Sequence, residues 1–105
     1  MAKLKAIIKR VDRKDPYAAV VSDSLKNLQN FVGGYIEAVT IIGESKKSPG
    51  VVLICNEEGI LKNLPYNCTV FGFPIFGDFL MLGCCGEEFV DCPMELATFK
   101  EFIGK

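Results

Sequence analysis

The chain has 105 residues, half of them hydrophobic, and a formal net charge of -1 from 12 basic and 13 acidic side chains. This length suits one domain, residues 1–105, with a single hydrophobic core. Because charges of both signs are spread along the chain, no surface field would concentrate a polyanion, and non-specific nucleic-acid binding is not expected.

The first third of the sequence predicts a β-hairpin followed by a helix. Residues 3–11 and 17–21 have strand-like apolar patterns and are separated by a polar turn. The capping residues 22–24 precede a helix whose apolar side consists of Leu25, Leu28, Phe31 and Val32. Gly33 and Gly34 end this helix, because glycine accepts the left-handed conformation that is common at helix C-termini.

The middle of the sequence predicts two strands and two turns. Residues 35–42 are rich in β-branched side chains, which favours a strand in the centre of a sheet. Residues 51–55 are a continuous apolar run, typical of a buried strand. After them, residues 56–59 predict a turn whose glycine suits a positive φ angle, and residues 60–65 predict a helical turn stopped by proline.

The last third completes the predicted fold. Residues 70–82 contain strand-like side chains interrupted by two glycines and a proline, which predicts short strands with a bend or bulge, one of them at a sheet edge. Residues 93–103 predict a second helix with one apolar face. The expected class is α+β, a mostly antiparallel sheet of about five to six strands with two helices packed on one face.

The sequence contains five cysteines and no histidine. No cysteine pair has the CxxC spacing that brings two thiolates to one zinc ion, and the adjacent Cys84 and Cys85 would point to opposite faces of a strand. Without histidine the usual Ser-His-Asp and Cys-His arrangements cannot form, and no GxxxxGK phosphate loop is present. The cysteines are interpreted as free core residues, and no metal, cofactor or catalytic residue is assigned.

Targeting signals are not evident. Near the N-terminus the apolar run is residues 6–8, too short for the hydrophobic part of a signal peptide or for a membrane span. We therefore expect a cytoplasmic protein with reduced thiols and no membrane partner.

Carboxylates are the remaining groups that could carry chemistry, because several lie beside predicted turns or inside an apolar strand. They are Glu37, Glu57, Glu58 and Asp78. Two of them close together could form an acid/base pair or hold a cation, although Glu57 and Glu58 suit a solvated turn better. Glu37 either faces solvent or faces inward, where the backbone amides of residues 56–59 or the amide of Asn67 would bind it and pin the loops.

Several short motifs occur in a particular order along the chain. They are VGGYIE at residues 32–37, NEEG at residues 56–59, LPxN at residues 64–67, and Gly77 before an apolar strand. This order resembles the family catalogued as domain of unknown function 3846, over nearly the whole chain. The resemblance implies a small protein of bacteria, phages or conjugative elements, without a known activity. It also implies that the family's shared scaffold or site comprises Gly33, Gly34, Glu37, Glu57, Asn67 and Gly77.

We therefore expect a non-enzymatic protein-binding or regulatory module of phage or mobile-element type. It would bind an unidentified protein, or a second copy of itself, through an edge strand or through the phenylalanine-rich residues 71–79. The alternative is a small-ligand or nucleotide-sensing module with a pocket near Tyr35, Glu37, Asn56 and Asn67. The tentative ligand or partner site consists of Gly33, Gly34, Tyr35, Glu37, Asn56, Glu57, Asn67 and Gly77. An enzyme would instead need Glu37, Glu57 or Asp78 together in a cleft.

Overall fold

A computed structural model describes residues 3–103 of the chain. The elements within this range are β1 (Lys3–Lys9), β2 (Tyr17–Ser22), α1 (Leu25–Val32), β3 (Ile36–Ile42), β4 (Gly50–Asn56), β5 (Tyr66–Val70), β6 (Phe73–Phe76), β7 (Phe79–Cys85), β8 (Glu88–Val90) and α2 (Leu96–Phe102). The predicted α+β class and the mostly antiparallel sheet are confirmed, with six strands in the main sheet. Neither helix in this range is long and apolar enough to cross a membrane.

The main sheet has the strand order β2-β1-β7-β4-β3, and the short β8 pairs with β7. All of these pairings are antiparallel. The central strands are β7 and β4, and β4 is buried along its whole length. The sequences of β4 and β7 are nearly continuous apolar runs because both faces of the sheet are covered at these strands.

The two faces of the sheet have different covers. On one face, Leu28 and Val32 of α1 pack against side chains that include Ile54 of β4. On the other face, Phe99 of α2 and the β5–β6 hairpin pack against side chains that include Leu53 of β4. The prediction that both helices pack on one face is therefore wrong. The reason is that β4 and β7 present apolar side chains to both faces, so that each face needs its own cover.

Strand β3 lies at an edge of the sheet and pairs with β4. The prediction of a central strand over residues 35–42 is therefore wrong in position, although a strand does form there. Its β-branched residues favour a pleated, half-buried surface, and this preference does not specify a place within the sheet. Ala38 and Thr40 are exposed, as an edge strand with one open side permits.

The β5–β6 hairpin forms a separate two-stranded sheet within residues 66–76. Its turn places Phe71 at φ 50° and Gly72 at φ 83°, the positive values typical of a tight type I′ hairpin. The ring of Phe71 packs on Phe102 of α2, with ring centroids 4.6 Å apart. A bridge between Val70 and Ile103 also joins the hairpin to the end of α2. The hairpin is thereby fixed over the sheet.

Candidate functional site

An open groove lies beside the edge strand, on the sheet face that carries the β5–β6 hairpin. We call it the β3 groove, and it encloses about 430 Å³. Strands β3 and β4 contribute Glu37, Val39 and Cys55, residues 56–61 form one end, and Phe73–Phe76 of β6 form a wall. The volume lies within the range of small-molecule sites, and the open side adjoins the unpaired edge of β3.

Two loops meet at the end of the β3 groove, around Asn56. The backbone amide of Glu57 donates to Tyr35 O at 2.9 Å, which joins the turn after β4 to the chain that enters β3. Asn56 Nδ2 donates to Val32 O at 3.1 Å, and Asn56 Oδ1 accepts from the Glu58 amide at 2.8 Å. The loops that follow α1 and β4 are therefore held together by a buried side-chain amide, and not by Glu37, the residue considered for this role from the sequence.

Glycine makes this meeting of loops possible. Gly33 ends α1 at φ 80°, and its amide donates to Gln29 O. A Cβ on Gly34 would lie 2.9 Å from Nδ2 of the buried Asn56 and 3.0 Å from Nζ at the end of the Lys62 side chain. The Lys62 side chain can move away, so the contact that requires glycine is the one with Asn56. Tyr35, exposed over 66% of its surface, points to a shallow depression beside the β3 groove rather than into it.

The glycine of the turn after β4 serves a different purpose from the predicted one. Gly59 is not among the glycines with a positive φ angle in the described residues. A Cβ at this position would lie 3.0 Å from Phe76 O. Gly59 therefore allows the turn to pack closely on β6, and this contact closes the end of the β3 groove.

Asn67 and Gly77 lie apart from the β3 groove. Asn67 Oδ1 accepts from Lys9 Nζ at 2.9 Å, and Asn67 Nδ2 donates to Lys9 O and to Gly77 O. The amide of Gly77 donates to Pro65 O at 2.8 Å. Lys9, 4% exposed, also donates to the backbone carbonyls of Arg10 and Arg13. These contacts tie β5 to β1, so Asn67 is not the partner of Glu37.

The β3 groove is acidic and apolar. Glu37, Glu57 and Glu58 contribute carboxylates, and no lysine or arginine is among its lining residues. Lys62, outside the lining, lies 3.8 Å from Glu58 Oε1 in an exposed ion pair. The inward, loop-pinning role considered for Glu37 is wrong, because Glu37 is exposed and the amides of Glu57 and Glu58 bind Tyr35 O and Asn56 Oδ1.

Cys55 is the thiol of the β3 groove. Its Sγ lies 4.0 Å from Glu37 Oε1. Burial, and then the negative charge of Glu37, raise the pKa of Cys55 from 9.0 to about 11. The thiol is therefore protonated at neutral pH and is a poor nucleophile.

Of the carboxylates considered for acid/base chemistry, Asp78 lies apart from the β3 groove. Asp78 accepts from the Val11 amide at 2.8 Å and pairs with Arg10 at 3.2 Å, which ties it to the loop after β1. Glu37 and Glu57 remain at the β3 groove. Within residues 3–103, no group of three or more histidine, cysteine, aspartate or glutamate side chains is arranged to hold a metal ion.

Sequence reasoning found Phe73, within the phenylalanine-rich residues 71–79, and missed the rest of the exposed apolar part of the site, Ile60 and Leu61. Ile60 and Leu61 are 68% and 80% exposed, and Phe73 is 52% exposed, although all three line the β3 groove. No sequence signal identified Ile60 and Leu61, because an apolar residue in a short turn is equally compatible with burial. Of the predicted site residues, Glu37, Asn56 and Glu57 line the groove, Gly33, Gly34 and Tyr35 border it, and Asn67 and Gly77 do not contact it.

The fold and groove define a class of small α+β proteins in which an open sheet edge adjoins an acidic, apolar groove. A family described as "Domain of unknown function (DUF3846)" matches residues 4–103, and the chain belongs to this family. No curated protein and no solved structure is significantly similar to the chain.

Proposed function

We propose that this protein is a non-enzymatic binding module that takes an extended segment of a partner protein as an additional strand on β3. The observation that carries the proposal is the edge strand β3 with the β3 groove directly beside it. In this mode of recognition the backbone provides affinity, and pockets for alternate side chains provide specificity.

The backbone of β3 has a row of groups available for such pairing. Because the Glu57 amide donates to Tyr35 O, the polar backbone groups of Tyr35 face β4. The direction of the backbone N–H and C=O groups alternates from residue to residue along an antiparallel pair, so the backbone groups of Glu37 and Val39 also face β4. The amides and carbonyls of residues 36, 38 and 40 therefore face outward, where a partner strand would accept and donate.

Side chains of the added strand would alternate between the two faces of the sheet. Glu37 is opposite Cys55 in the register, and Val39 is opposite Leu53, so both belong to the face of the β3 groove. Every second partner residue would enter the groove and contact the exposed Ile60, Leu61 and Phe73. Burial of this apolar surface would favour binding, because removal of apolar area from water is favourable.

Proline at an outward-facing position tests the proposal. Ala38→Pro removes an outward amide and leaves the β3–β4 ladder intact, because proline is tolerated in an edge strand when its nitrogen faces solvent. The matched control is Val20→Pro on β2, the other outer strand. Lys5 lies opposite Val20 in the register, and the Lys5 amide donates to Asp91 Oδ1 while the Lys5 carbonyl accepts from the Cys92 amide. The backbone groups of Lys5 therefore face away from β2, so those of Val20 face away from β1. The amide of Val20 thus faces outward, like that of Ala38.

The binding assay uses random linear dodecapeptides displayed on phage and selected on the immobilised full chain. Affinities of the selected peptides are then measured by fluorescence anisotropy with the wild type and with both variants. We expect Ala38→Pro to weaken binding by about tenfold or more and Val20→Pro to leave it within about twofold. Equal losses in both variants, or no peptide that binds, would contradict the proposal.

The remaining parts of the proposal rest on separate support. A cytoplasmic location agrees with the five cysteines being free of disulfides. An origin in phages or other mobile elements rests on the family resemblance alone. The absence of catalysis is supported by the protonated Cys55 and by the separation of Asp78 from Glu37 and Glu57.

A second candidate function is the sensing of a small ligand, which the groove volume of about 430 Å³ favours. A thermal-shift screen of metabolites and nucleotides distinguishes it, because a ligand at about 100 times its Kd adds roughly 2.7 kcal/mol to the stability. A compound that raises the melting temperature by several degrees in the wild type, and not in Phe73→Ala, would favour this function over peptide binding.

A further inference from the structure

We infer that the segment bound at β3 is basic as well as apolar, with an apolar side chain and, two residues later, a lysine or arginine. This inference rests on the proposed function and names the chemistry of the partner. Three carboxylates line the β3 groove without a cation among the lining residues, whereas the whole chain has a net charge of only -1. The negative charge is thus concentrated where the partner would lie.

The groove has a charged end and an apolar part, which fixes the order of the partner's side chains. Glu37 lies at the end closed by residues 56–61, since Tyr35 is joined there to Glu57. Val39 lies two residues further along β3. A neighbouring strand runs about 4.8 Å away, so its side chains would stand directly beside Glu37 and Val39.

Direction follows from the architecture of the sheet. Every pairing in the main sheet is antiparallel, and antiparallel pairs are the more stable ones per residue. An antiparallel partner passes Val39 before it reaches Glu37. Read from its N-terminus, the segment therefore presents an apolar residue, a residue on the opposite face, and then the basic residue.

A second copy of the chain fits this surface less well than a basic segment. Pairing of β3 with another β3 would bring two sets of carboxylates from Glu37, Glu57 and Glu58 into one interface. Like charges brought together in an interface oppose binding, whereas a lysine or arginine beside Glu37 would form a favourable cross-strand pair.

The experiment uses two fluorescein-labelled probes of seven residues, the length of β3. The first is Thr-Ile-Thr-Val-Thr-Lys-Thr, and the second has glutamate in place of the lysine. Both are titrated into the full chain at low and high salt. We expect the lysine probe to bind about tenfold or more tightly than the glutamate probe, with the difference reduced between about 50 mM and about 500 mM salt.

Charge reversal in the protein completes the test. Glu37→Lys should reverse the preference of the two probes, whereas the matched control Glu87→Lys, an exposed glutamate in the turn between β7 and β8, should not. If both probes bind with equal affinity, and if neither binds to Ala38→Pro, the inference of a basic partner is overturned and the proposal of strand addition stands. Failure of the lysine probe to bind also overturns the inference. A protein dimer in light scattering that becomes monomeric in Ala38→Pro would assign β3 to a second copy instead.

Discussion

Two asparagines at the same end of the sheet, one on each face, both hold neighbouring segments of the chain together through their side-chain amides. Asn56 is the last residue of β4 and binds α1 and the next turn, whereas Asn67 binds Lys9 and Gly77 on the face covered by β5. Only the Asn56 region borders an open groove. Both amides are satisfied internally, so each asparagine is a scaffold residue, and the groups left free to bind a partner are the exposed ones beside Asn56.

The nearby charges also differ between the two regions. Cys55, beside Asn56, has its pKa raised by burial and then by the carboxylate of Glu37. Cys68, beside Asn67, has its pKa raised by burial, while the ammonium of Lys9 opposes the shift. One region is thus an open, negatively charged surface, and the other is a closed contact around a buried cation.

The largest expected effect is in the closed region. Asn67→Ala removes three hydrogen bonds, including the one from the buried Lys9 ammonium. The Lys9 ammonium keeps its bonds to Arg10 O and Arg13 O but loses one acceptor, and the carbonyls of Lys9 and Gly77 lose a donor. At about 1 kcal/mol for each lost bond, we expect the free energy of unfolding to fall by about 3 kcal/mol in urea denaturation. Peptide affinity of the remaining folded protein should be unchanged. A loss below about 1 kcal/mol would show that water replaces the amide and that the region is not closed.

The open region should respond differently to the same substitution. Asn56→Ala leaves Val32 O and the Glu58 amide without their partners, and we expect a loss of about 2 kcal/mol. Here the peptide affinity should fall as well, because the turn that closes the β3 groove is released. Loss of stability without loss of affinity would mean that the two regions are equivalent scaffolds.

Features that depend on residues close together in the chain, such as the ends of α1, were predicted from the sequence. Features that depend on distant strands, such as the position of β3 in the sheet, were not. The cap at Ser24 and the left-handed Gly33 depend on neighbours within one helix turn, so the helix α1 was predicted from the sequence. The edge position of β3 and the distribution of the helices depend on β7 pairing between β1 and β4. Side-chain patterns report how buried a strand is, and they do not report which strands flank it.

The candidate site was predicted in part for the same reason. Glu37, Asn56 and Glu57 were found because they lie next to glycine-containing turns that do meet. Asn67 was assigned to this site wrongly, because its three hydrogen bonds lead to β1 and to the link before β7. The exposed Ile60 and Leu61 could not be recognised, since an apolar residue in a short turn is equally compatible with burial.

A smaller effect is expected from the packing between loops in the open region. Gly34→Ala would place a methyl group 2.9 Å from Asn56 Nδ2, and we expect a loss of about 1.5 kcal/mol. Gly43→Ala, with no atom within 4 Å of the added Cβ, is the control and should change stability by less than about 0.5 kcal/mol. Equal effects of the two substitutions would indicate that the contact between Gly34 and Asn56 is loose.

The last effect is a pH dependence that distinguishes the two thiols. The pKa of Cys55 is raised from 9.0 to about 11, so its contribution to stability is complete below about pH 9 and is lost as the pH rises through about 11. Cys55→Ala abolishes this titration and removes a buried sulfur, which costs about 1 kcal/mol at neutral pH.

The stability difference between wild type and Cys55→Ala should therefore shrink as the pH rises from about 8 to about 11, in urea denaturation under reducing conditions. The corresponding change for Cys68→Ala should be smaller, because the Lys9 ammonium stabilises a thiolate at that position. Cys85→Ala serves as the control for the loss of a thiol at an exposed site. A constant difference for Cys55→Ala across this pH range would mean that Glu37 and burial do not act on its thiol, and the charge contrast between the two regions would be lost.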